Sequence, residues 1–170
     1  MRVWWNGRVD SPTPVAAALR ALVPEMMAEH PGIAWRLDDD ADGICILLHP
    51  EAAPERVARV GIRPGEEVYS VELGPHRGVT VEHVDAEKPD EARERIATAV
   101  SAVRGPSRLV LTYAGETQTR SELVLAPDSP EERSDGVHVH RPATELFWRL
   151  RRRRLRQEVL ELGPVSPPAR

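Results

Sequence analysis

Cysteine is almost missing from this sequence: Cys45 stands alone among 170 residues. A lone thiol excludes an internal disulfide, so the fold is not expected to depend on an oxidising compartment. Lysine and asparagine are just as scarce, with Lys88 and Asn6 the sole examples, and arginine carries nearly all the positive charge. We read that bias as the codon usage of a GC-rich genome, without functional content. Aromatic residues amount to 4%. The core is therefore expected to be built from Val, Leu, Ile and Ala, with Trp4, Trp5, Trp35, Phe147 and Trp148 as its few bulky anchors. No apolar run approaches the roughly 18 residues of a membrane span. The opening Met1-Arg2-Val3-Trp4-Trp5-Asn6-Gly7 lacks the apolar run of about 7–15 residues that a signal peptide carries. A cytoplasmic location is the expectation.

Catalytic signatures are missing as well. The sequence holds no G-x-S-x-G, no phosphate loop, no dinucleotide glycine fingerprint and no metal-type cysteine pair. Glu66-Glu67 and Glu131-Glu132 are sequence neighbours that point apart, which makes them poor acid–base pairs. Cys45 lies in the apolar string Ile44 to Leu48, where a thiol is expected to be inert. These absences lower the expectation of an enzyme, although a site assembled in space leaves no motif.

What is present describes a globular chain, with 41% hydrophobic and 29% charged residues. One α+β domain is expected over residues 1–162, followed by a flexible tail over 163–170 whose Pro-Val-Ser-Pro-Pro composition resists folding. Sixteen prolines cut the chain into short elements. Asn6-Gly7 reads as a hairpin turn, because both residues tolerate positive φ. Thr13-Pro14 then starts a helix to about Glu29, kinked at Pro24 and stopped at His30-Pro31-Gly32. Strands are expected at Ile33 to Leu37 and Ile44 to Leu48, a short helix at Glu51 to Val60, and strands at Val68 to Leu73 and Val79 to Val84. A clear helix spans Lys88 to Val103, with Ala92, Ile96, Ala99, Val100 and Val103 as its buried stripe. Strands follow at Leu109 to Tyr113 and Thr119 to Leu125. His76 falls in a turn, and His83 reads as a core histidine. Taken together this is a helix–hairpin unit repeated three times, predicting one antiparallel sheet with helices packed on one face.

The C-terminal segment is the most unusual stretch. Thr144 to Leu162, entered at Pro142 and ended by Gly163-Pro164, is expected to form a long helix bearing Arg149, Arg151, Arg152, Arg153, Arg154 and Arg156. In helical projection Arg149, Arg152, Arg153 and Arg156 share one face, and Trp148, Leu155, Val159 and Leu162 line a neighbouring apolar stripe. Taking those six arginines from the 23 basic residues leaves 17 against 27 acidic ones, so an acidic body carries a basic helix. A charge run is most often a solvated face. Arg and Trp are also favoured anchors at protein interfaces. A basic helix can neutralise phosphates, but a body of that charge repels nucleic acid and anionic membranes.

Two strings resemble metal sites. Asp38, Asp40 and Asp42, followed by Gly43, match the start of a calcium loop, yet His49 stands where a bidentate Glu belongs and the flanks read as strands. A solvated hairpin turn accounts for them more simply. His138 and His140 alternate along a strand, which puts two imidazoles on one face, with Glu145 five residues further on. Together these patterns predict a small non-catalytic protein-binding module, of immunity, adaptor or chaperone-like type, needing no cofactor. Its contacts would be Trp148, Arg149, Arg152, Arg153, Arg156 and the Trp4-Trp5 segment. Two alternatives are an enzyme, metal-dependent or not, using His138, His140 and Glu145, and a nucleic-acid-binding regulator using the arginine face.

Overall fold

The structure is a computed structural model that describes residues 14–40, 43–63, 68–81, 88–151 and 154–165. Helix α1 (Pro14–Ala28) is followed by a five-stranded antiparallel meander, β1 (Ile33–Asp40), β2 (Gly43–Pro50), β3 (Ala58–Arg63), β4 (Val68–Leu73) and β5 (His76–Val81), paired in chain order. Helix α2 (Lys88–Arg104) leads to a second sheet made of β6 (Ser107–Ala114), β7 (Thr117–Leu125), β8 (Arg133–Val139) and β9 (Arg156–Leu162). Its spatial order is β8-β7-β6-β9, all antiparallel. The fourth strand thus returns beside the first of its set, a Greek-key arrangement. Helix α3 (Pro142–Leu150) lies in the long connection that makes the return.

The fold is mixed α+β with antiparallel sheets, but three features of the expected plan do not form. Residues 51–57 are turns and β3 occupies Ala58–Arg63, so the middle helix is absent and the helix–hairpin repeat fails. Pro54 interrupts any helix there, and Val60 gains a strand partner on each side, Ile46 and Val71. Among the described residues the strands form two sheets rather than one. The long C-terminal helix ends at Leu150, and Arg156–Leu162 is a strand in register with Tyr113 back to Ser107. Leu155, Val159 and Leu162 fit a helical period, while Leu160 and Leu162 equally fit a period of two. The open edge of β6 decides between them, because pairing there satisfies a whole row of backbone groups.

Helix α2 positions both sheets. Asp90 and Glu91 sit in its first turn and Arg104 in its last, as the helix dipole favours. It touches β2, β3 and β4 on one side and β6 and β7 on the other. Ala92, Ile96, Ala99, Val100 and Val103 are buried, as are Thr98 and Ala102, so the helix is covered on more than one face. Its alanines let the two sheets close in. One apolar cluster takes in Val23 of α1, Ile46 and Val60 of the first sheet, Ile96 of α2, and Leu111 and Leu123 of the second. Tyr69 is the bulky core residue, whereas Trp35 and Phe147 are exposed, contrary to their expected role as anchors.

Candidate functional site

The sheets meet where β5 packs on β7 and β8. The Gly74-Pro75 turn places His76 in β5 opposite Leu73, and its side chain is fully buried. Facing it from β8 is Asp135. One carboxylate oxygen, Oδ1, accepts the Leu123 backbone N–H at 2.8 Å, at the point where the β7–β8 register shifts. The other, Oδ2, lies 2.8 Å from His76 Nε2 and 3.3 Å from His138 Nε2. The two imidazoles stand nearly edge to face, with ring centres 5.6 Å apart. Next to them His140 Nε2 is 2.7 Å from Ser121 Oγ. Burial, and after it the neighbouring His76, His138 and Arg77, holds the His140 imidazole below its ordinary pKa.

Two details set this cluster apart from a routine hydrogen-bond network. His76 Nδ1 is buried with no hydrogen-bond partner, a cost that native cores normally avoid. Gly78, one strand period along from His76, leaves the centre of the cluster open. A Cβ there would lie 2.9 Å from Asp135 Oδ2, 3.0 Å from His138 Nε2 and 3.2 Å from His76 Nε2. His140 also lines a surface cleft of about 470 Å³, together with Arg77, Gln118 and Arg141.

A second arrangement lies on the outer face of the second sheet, around α3. Glu145 is buried there and held by both Nε and Nη2 of Arg120, with Arg149 Nη2 at 2.8 Å. Arg120 is the main reason the carboxyl lies below its usual range, against the opposing effect of burial. Trp148 packs its ring over Gly115, and its Nε1–H donates to the Arg154 carbonyl at 3.0 Å. At roughly 100° per residue, Trp148, Glu145 and Arg149 fall on one side of α3. Leu146, Phe147 and Leu150 fall on the other and are 60%, 52% and 73% exposed. Arg151 lies over the Phe147 ring at 4.3 Å, and Arg156 over Tyr113 at the same distance.

The residues singled out from sequence scatter. His138 and His140 share the inner side of the second sheet, beside Ser121, as their spacing implies. Glu145 does not join them, because Arg120 holds it on the opposite face. Asp38 pairs with Arg36 at 2.8 Å, and Asp40 stands opposite Gly43 in the hairpin register. Trp4, Trp5, Asp42, Arg152 and Arg153 lie outside the described residues, as does His83. With α3 ending at Leu150 and Arg156 in β9, Arg149 and Arg156 do not share a helical face. Sequence reasoning missed His76, assigned to a turn, and Asp135. The D-G-x-H string of Asp135 to His138 was the available signal, but its partner His76 is 59 residues away from Asp135.

Comparison with protein-family models, with curated proteins and with solved structures finds no match to this chain. Among the described residues no helix is long and apolar enough to cross a membrane.

Proposed function

We propose that the chain is a protein-binding module that receives an acidic, apolar-anchored partner segment on the outward face of α3. The observation that carries this reading is the reversed packing of that helix. Its inward side is held by the Glu145–Arg120–Arg149 ion cluster and the Trp148 ring, while Leu146, Phe147 and Leu150 are left to solvent. Contiguous exposed apolar side chains with a polar rim mark contact surfaces, since covering them releases about 25 cal/mol per Å². The border here is basic: Arg151 lies over the Phe147 ring, and Arg151 and Arg154 are both exposed. Charge complementarity therefore selects an acidic partner and speeds its approach.

A random-peptide display selection against the protein tests this. Enriched peptides should combine acidic with aromatic or aliphatic residues and bind more weakly as salt rises. They should lose at least tenfold in affinity to the Leu146→Ser, Phe147→Ser, Leu150→Ser variant. Peptides without acidic bias, equal binding to the variant, or self-association that disappears in the variant would each overturn the reading. So would salt-steep binding to nucleic acid or anionic vesicles through this face.

A further inference from the structure

We infer that His76, Asp135 and His138 form a binding site for a divalent transition-metal ion of the zinc type. Their ligand atoms lie within 4.8 Å of one another, brought together from both sheets. Two imidazoles with one carboxylate is a donor set that suits Zn²⁺ and its first-row neighbours, and three protein donors leave a coordination position for water or a small ligand.

Two features of this chain support a site rather than a chance meeting of side chains. The first is preorganisation. The Leu123 N–H fixes Asp135 Oδ1, which turns Oδ2 toward both histidines. The second is space. Gly78 has no side chain where a Cβ would crowd all three donor atoms at once, and no positive φ demands glycine there. The His138 side reaches the surface, its side chain being 17% exposed against 0% for His76 and 5% for Asp135, so an ion has a way in.

The test is titration of the metal-free full chain with zinc chloride by calorimetry, together with the visible spectrum of the cobalt-loaded protein. One Zn²⁺ per chain at micromolar or tighter affinity is expected, with cobalt bands of nitrogen–oxygen ligation. His138→Gln alters the most exposed donor and should weaken binding at least tenfold while leaving the circular dichroism unchanged. Gly78→Ala should do the same by filling the centre of the site with all three donors kept. No heat and no cobalt bands at millimolar metal would overturn the inference. Binding undiminished in both variants would place the ion on other residues and overturn it equally. These readouts do not involve α3, so their failure leaves the partner-binding proposal standing.

Discussion

Gly115 turns the chain between β6 and β7 at φ +65° and also forms the floor under Trp148. A Cβ there would stand 2.9 Å from the indole ring, closer than real side chains approach. Gly74 has a similar φ, +55°, with open space around it. Gly74→Ala should therefore cost only the left-handed strain, about 1–2 kcal/mol. Gly115→Ala should cost about 1–2 kcal/mol more and red-shift the tryptophan emission as the ring lifts. Urea unfolding of both variants checks this, and equal losses with unchanged emission would contradict it. Residue identity alone showed a good part of what matters at this scale: the alternation of His138 with His140 was legible because strand geometry has a fixed period. The convergence of His76 and Asp135 was not, since it depends on two sheets meeting across 59 residues.

Helix α3 shows how an element can be right in composition and wrong in extent. Its start at Pro142 is written in the sequence, whereas its end is set by β9 pairing with β6, an interaction that local periodicity does not encode. What anchors it is electrostatic, and this gives a pH dependence. The folded pKa of Glu145 lies below its ordinary value of 4.5, chiefly through Arg120. The sign follows from linkage: the stabilisation is fully present above the unfolded pKa and is lost as pH falls through the lower folded one. Wild-type stability should therefore drop below about pH 4.5 by an increment that Glu145→Gln lacks. At neutral pH that variant should already be less stable by about 1–3 kcal/mol. Denaturant midpoints measured from pH 7 to pH 3 give the comparison, and parallel curves for the two proteins would refute the clamp.

Across the whole molecule the decisive element is α2, whose stripe was legible from spacing though its double coverage was not. An expected single sheet needs only one buried helix face, but two sheets require more, and Thr98 and Ala102 supply it. Because one apolar cluster joins residues of both sheets through α2, they should unfold as one unit even though no strand is shared between them. Ile96, fully buried in that cluster, is the place to test it. Ile96→Ala should cost about 2–5 kcal/mol, the usual range for opening a cavity of that size. Native-state hydrogen exchange should then show amides of β3 and β7 losing protection by the same free energy. Loss confined to β3, with β7 unchanged, would mean that the second sheet stands on its own. The seam holding His76, Asp135 and His138 would then open and close independently of the core. Equal loss ties the geometry of that seam to the global stability of the fold.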